Sequence, residues 1–361
     1  MDSITQALLG AALQGSLLGR IQGRRALVYG AVLATVPDLD VFVHYADPVS
    51  QMTYHRGFSH SLFVLTALGL ALSTLVTALA RWRWPDHGYR WPRLMLTFWL
   101  VLVTHPLLDA FTVYGTQLLW PLQVTPQSWA GVFIIDPLYS VPLLLTVVYA
   151  GVRGVGEGAR RWLAAALVFS TLYLGCGIAG RLVSEQRFAA ALDAQGIAHS
   201  HVRAVPMAFN TLLWRVMAKT PDGHYYEGVS SLLDTAPPEM QRQALHLDAA
   251  QPLAGVPLHE RLRWFTGDWL RYDIIGDALV VSDLRMGMPS DYNFRFLMAR
   301  RDAQGQWQPV QPSRWPGNSA RAMFDRQMLG LLWQRIFDQR PPLPLAAWQV
   351  QSLGKDAALQ R

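Results

Sequence analysis

The chain has 361 residues, 51% of them hydrophobic and only 16% charged, and it carries a net charge of +6. A soluble protein of this size holds roughly 25% charged residues, so a wholly soluble globular class is excluded. The single cysteine, Cys176, excludes a disulfide framework and a thiolate zinc site.

The charge deficit is local. The first 181 residues contain eight acids (Asp2, Asp38, Asp40, Asp47, Asp86, Asp109, Asp136 and Glu157), and the other seventeen lie beyond them. This divides the chain into a membrane region, 1–181, and a water-soluble region, 182–361. The positive balance does not point to nucleic acid, because the arginines cluster in short loops between apolar runs, where membrane topology accounts for them.

In chain order, MDSITQALLGAALQGSLLG lacks the basic start and cleavage pattern of a secretion signal and reads as retained. Within 4–19, Ala7, Ala11, Gly15 and Gly19 recur every four residues, a stripe that lets another helix approach closely inside a bundle. The next apolar stretch, 26–36, continues into PDLDVFVHY and crosses the bilayer provided its two aspartates face protein. Stretches 61–80, 94–111, 132–151 and 162–180 follow. Each has about 18–20 residues, enough for about 30 Å of hydrocarbon at about 1.5 Å per residue.

The loops assign the sides. Arginines crowd 20–25 (Arg20, Arg24, Arg25), 81–93 (Arg81, Arg83, Arg90, Arg93) and 152–161 (Arg153, Arg160, Arg161). The alternating loops, 46–60 and 112–131, hold only Arg56. If 26–45 and the four later stretches all cross, the basic loops share one side, which is the cytoplasm, and 182–361 lies outside.

The outer region shows three strand–turn–strand patterns: LLWRVMAKT–PDG–HYYEGVSSLL, WLRYDII–GD–ALVVSDLRMG and FRFLMARR–DAQG–QWQPV. Helical periodicity is expected at 183–195 and 318–337. The expected fold is therefore an α-helical membrane bundle of five to six apolar helices, followed by a soluble α/β domain rich in β-hairpins.

On this topology the polar residues of the membrane region gather at one depth. Asp38 and Asp40 end the second apolar stretch, and His55 and His60 precede 61–80. His105 and Asp109 end 94–111, and Asp136 starts 132–151. A charge at membrane depth costs at least about 2.5–3.5 kcal/mol, so such residues pair or serve function. Four carboxylates beside one arginine and no lysine cannot all be neutralised by ion pairs. A divalent cation draws carboxylates and imidazoles together. His105 and Asp109 are four apart and share a helix face. Pro37 weakens the helix before Asp38 and Asp40 and lets both acids converge from a turn; Gly57 lets HRGFSH fold back, and Ser59 is a candidate cap for the next helix. His44 reads as interfacial and His87 as a loop residue. His199 and His201 come nearest to a ligand pair in the outer region, whose histidines show no ligand-spaced cluster.

MDSITQALLGAA, PDLD, HRGFSHS and THPLLDAFTVYGTQLLWP together resemble the YdjM-like family of bacterial inner-membrane proteins, described as predicted metal-dependent hydrolases. The likeness covers about the first 150 residues, and FNTLLWRV and SDLRMG resemble a subgroup with a C-terminal extension. Carried onto this chain, the family's polar motifs fall on Asp38, Asp40, His55, His60, His105 and Asp109. One departure stands out: many relatives have histidine where this chain has Gln6.

The expected function is a membrane-embedded hydrolase with its site at the extracytoplasmic face of the bacterial inner membrane. Those six residues hold one or two divalent ions, and mixed N/O ligation favours Zn, Mn or Fe over Ca. Arg56 steadies an anionic substrate group or snorkels, and Asp136 is a general base, a further ligand or a helix cap. The expected partners are the bilayer and a lipid or lipid-linked substrate. The alternative is a non-enzymatic metal transporter or envelope scaffold.

Overall fold

The computed structural model describes residues 1–84, 88–288, 291–316 and 326–339. His87 and the first part of 318–337 lie outside the described residues. Two compact units emerge. One comprises Met1–His44, Tyr54–Trp129 and Ile134–Cys176; the other comprises Tyr45–Thr53, Ala130–Phe133 and the described residues from Gly177 onward.

The first unit is helical. Helix α1 (Ser3–Gln22) starts where the Asp2 carboxylate accepts the Thr5 N–H at 3.0 Å, an N-cap. Its small residues face α2 (Arg25–Thr35). A Cβ on Gly10 would sit 2.3 Å from the Gly30 carbonyl oxygen, so the two backbones touch at a pair of glycines. Gly15 and Gly19 of the expected stripe do pack closely, but against Leu27, Leu163 and Val155.

Helix α2 stops after 11 residues, about 17 Å of rise and too short to span. Pro37 has no N–H for the carbonyl of Leu33, so the Val36 N–H takes it at 3.3 Å and the chain tightens into a 3₁₀ turn over Pro37–Phe42. A short α3 (Pro48–Tyr54), all but its last residue in the second unit, precedes a second 3₁₀ turn, Phe58–His60. Then come α4 (Leu62–Arg83), capped by Ser61 rather than Ser59, and α5 (Trp91–Ala110). Helix α6 (Pro137–Arg153) has only 17 residues because Asp136 caps it and Pro137 fixes its first turn. Helix α7 (Glu157–Asp193) continues for 37 residues, through position 181.

Among the described residues, three helices, α4, α5 and α7, are long and apolar enough to cross a membrane. This is fewer than the five to six expected. The difference lies at Pro37 and Asp136–Pro137, where proline and a cap shorten two apolar runs.

The second unit contains two antiparallel four-stranded sheets. The first runs β1 (Val202–Pro206), β2 (Leu213–Lys219), β3 (His224–Ser231), β4 (Met240–Ala244). The second, reached through α8 (Pro257–Thr266), runs β5 (Leu270–Ile275), β6 (Ala278–Met288), β7 (Asp291–Arg301), β8 (Trp307–Arg314). Helix α9 (Arg326–Phe337) is the last described element. All three expected hairpins occur, closing at Lys219–Tyr225, Ile275–Ala278 and Arg301–Trp307. Phe188 and Leu192 of α7 pack with Trp214 and Val216 to form the core behind the first sheet.

Candidate metal centre

Four side chains of the first unit meet at the end of α5. Helical spacing on α5 brings His105 and Asp109 to one face, the first 3₁₀ turn supplies Asp38, and the second supplies His60. One donor atom from each lies within 4.8 Å of all the others. His60 Nε2 is 3.2 Å from His105 Nε2, 3.2 Å from Asp109 Oδ2 and 3.7 Å from Asp38 Oδ1. His105 Nε2 is 3.3 Å from Asp38 Oδ1 and 3.7 Å from Asp109 Oδ2. A tetrahedral shell with ligand bonds of about 2.0–2.2 Å has edges of about 3.3–3.6 Å, and these five of the six separations lie close to that range.

The hydrogen bonds behind the cluster select the tautomers. His105 Nδ1 donates to the Ala34 carbonyl at 2.6 Å. His60 Nδ1 lies 2.9 Å from Ser59 Oγ, whose own proton goes to Asp40 Oδ2 at 2.7 Å. With both Nδ1 atoms protonated, each neutral ring presents a bare Nε2 lone pair to its neighbour and to two carboxylates. Asp109 Oδ2 is buried and receives no hydrogen bond. Four acceptors around one point repel. A shared proton relieves one edge of that arrangement, whereas a cation satisfies all four donors, so the residues fit a divalent metal.

Asp40 and His55 stand one layer out. Asp40 Oδ1 bonds His55 Nδ1 at 3.0 Å, and its Oδ2 accepts the Arg56 N–H at 3.0 Å as well as the Ser59 hydroxyl. Arg56 holds a left-handed conformation, φ 59°, costly for a non-glycine residue and characteristic of functional loops. It is buried, with Nε 3.2 Å from Asp109 Oδ2 and its guanidinium over the Tyr114 ring. The Met1 ammonium also pairs with Asp109. Gln6 is buried beside the cluster and donates to Asp109 Oδ1 and to the His105 carbonyl, both at 3.2 Å.

Asp136 lies outside the four-residue group. Its carboxylate accepts the Leu138 and Tyr139 N–H groups and the Tyr173 hydroxyl. His44 is exposed, and His199 and His201 bond Ile197 and Ser200 without converging. Ser59 is the site residue given a different role by the sequence reading, which made it a cap; its position next to His60 was the available signal.

Fold and site together define a helical membrane protein that buries a two-histidine, two-aspartate donor set at the end of an apolar helix. The chain belongs to the YdjM inner membrane protein family, whose profile matches residues 1–184 and so includes every residue of the cluster. It is 26% identical over 257 residues to the uncharacterized protein YfhP of Bacillus subtilis (strain 168), covering 65% of this chain and 71% of that one. No solved structure matches the chain significantly.

Proposed function

We propose that the protein is a membrane-embedded, metal-dependent hydrolase, with its site on the extracytoplasmic side, acting on a lipid or lipid-linked ester or phosphoester. The observation that carries this reading is the convergence of four donor groups, all within 4.8 Å of one another and five of their six separations between 3.2 and 3.7 Å, at the end of a candidate membrane helix. Asp38, His60, His105 and Asp109 would hold the ion. Asp40 and His55 would take a second ion only by giving up their mutual hydrogen bond. The mixed nitrogen and oxygen donors suit Zn, and after it Mn or Fe.

When bound, such an ion supplies Lewis acidity and acidifies a water near neutral pH. The chain's own residues do the rest. Ala34 and Ser59 fix the two imidazoles, and Arg56 offsets the charge of Asp109 and favours an anionic group nearby. The arginine-poor loops around the site support the extracytoplasmic placement.

The test uses purified full-length protein in detergent. Metal analysis is expected to find about one Zn, Mn or Fe per chain, lost in His105→Ala and in Asp38→Ala. Phospholipid and polyprenyl-phosphate esters are then assayed with each metal. Bound metal without hydrolysis of any of them rejects the enzyme reading and leaves transport or a scaffold role. An alkaline phosphatase fused after Arg361 is expected to be active; an inactive fusion refutes the topology.

A further inference from the structure

The cluster is sealed on most sides and open on one. The side chains of His60, His105 and Asp109 are 0%, 1% and 0% exposed, whereas Asp38 keeps 21%. Asp38 lies on the turn Pro37–Phe42, and the residues beside it that face outward are apolar: Leu39 is 56% exposed, Val41 57% and Phe42 74%. Phe58, Leu119 and Leu122 are exposed as well.

These residues form one collar. The Ser59 hydroxyl and the Arg56 N–H both donate to Asp40 on the turn. The Gln117 N–H donates to the Arg56 carbonyl, the Leu62 N–H to the Leu118 carbonyl, and the Phe58 ring meets Trp120 edge-on at 5.2 Å. Stretches 37–43, 57–63 and 117–124 contain no Lys, Arg or Glu, and their ionisable residues are Asp38, Asp40 and His60, which belong to the site. The six apolar side chains present on the order of 500 Å² together, in the upper part of the range for the largest apolar patch on a monomeric protein, a patch that is often functional.

The nature of the partner follows from continuity. Val28 and Val32 on α2 and Phe63 on α4 are exposed right up to the collar. A loop that left the bilayer at the helix ends would show charge there, and this one shows none pointing outward. A protein-binding face would carry a polar and charged rim, and the three stretches supply only one exposed uncharged polar residue, Gln123.

We infer that the collar lies within the bilayer interface and opens the cluster sideways into the acyl region. The ligand reaching Asp38 is then an amphiphile whose chain stays in the leaflet while its polar group meets the donors. The reaction of that ligand rests on the hydrolase reading; the position of the collar does not.

The experiment places single cysteines at Phe42, Phe58 and, as a control, Gln304 in the β7–β8 turn, in a Cys176→Ser background. The full chain carries an environment-sensitive fluorophore at each site in phosphatidylcholine–phosphatidylglycerol nanodiscs. The labels at 42 and 58 are expected to be quenched by nitroxide on lipid chains and spared by aqueous iodide, with the reverse at 304. Iodide quenching at 42 and 58 equal to that at 304 overturns the inference, whatever the protein hydrolyses, and so does a lipid contact that needs a second protein. In a second arm, Phe42→Ser with Phe58→Ser is expected to leave zinc affinity within about threefold while lowering cleavage of vesicle-borne phospholipid at least about tenfold relative to a short-chain soluble ester. Equal losses on both substrates overturn it. Labels in lipid with zinc bound and no ester cleaved would sink the hydrolase reading alone and leave the lateral opening standing.

Discussion

Ser59→Ala tests the two-layer organisation of the site most directly. Ser59 Oγ donates to Asp40 at 2.7 Å and accepts from His60 Nδ1 at 2.9 Å, so its loss frees the His60 ring without removing a donor atom. Loss of such a supporting contact lowers metal affinity about 10–100-fold. That is about 1.4–2.7 kcal/mol. His60→Ala removes one of the four donors themselves. A quarter of the roughly 10–16 kcal/mol typical of a four-ligand zinc site is about 2.5–4 kcal/mol, or about two to three powers of ten in affinity. His55→Ala removes the bond to Asp40 Oδ1 and the edge contact with Tyr114, neither of them a cluster donor, and should cost less than about tenfold. The assay is competition for Zn²⁺ against a chromophoric chelator in nanodiscs, with Ser59→Thr as the variant that keeps the hydroxyl and restores affinity. The expected order of loss is His60→Ala, then Ser59→Ala, then His55→Ala. If His55→Ala weakens zinc as much as His60→Ala does, the inner and outer layers have been assigned wrongly. If none of the three changes affinity, zinc does not bind at this cluster.

Three further outcomes follow from the packing and the charges. Gly10→Ala should destabilise the helical unit by about 1–3 kcal/mol, read as a lower melting temperature in detergent, because the new Cβ would fall 2.3 Å from the backbone oxygen of Gly30. Arg215→Met should cost about 3–5 kcal/mol in chemical denaturation of the full chain, since Glu227 is then buried without its partner, and adding Glu227→Leu should recover most of that loss. The bond from His246 to the Asp273 carboxylate raises the imidazole pKa from its ordinary 6.5, with burial opposing it. The resulting stability is fully present below pH 6.5 and disappears as pH rises through the folded value, so melting curves should show a loss above pH 6.5 that His246→Gln removes.

Some of this was legible in the sequence because local periodicity determines it. His105 and Asp109 meet because any α-helix puts residues four apart on one face, and the hairpins close where PDG, GD and DAQG interrupt alternating strands. The first sheet's outer strands, Val202–Pro206 and Met240–Ala244, carry too few alternating residues to announce themselves. The PDLD segment reads as a helix weakened at Pro37, with both acids converging from a turn. The turn forms, as a 3₁₀ turn over Pro37–Phe42, but in any helical turn residues two apart point roughly 200–240° away from each other. Asp38 therefore joins the donors while Asp40 faces His55, Ser59 and the Arg56 amide. A similar inversion occurs in HRGFSH. Glycine is the expected residue for a positive φ, yet Arg56 takes it, and Gly57 is needed because a Cβ there would lie 2.9 Å from the Tyr54 carbonyl oxygen. That reversal turns the Arg56 guanidinium toward Asp109 and its amide toward Asp40, so one residue in a strained conformation joins both layers. A glycine in its place could adopt the same backbone and keep the amide bond to Asp40, but it would leave Asp109 without the guanidinium. The strain at Arg56 is thus tied to the charge it delivers, which no spacing rule in the sequence expresses.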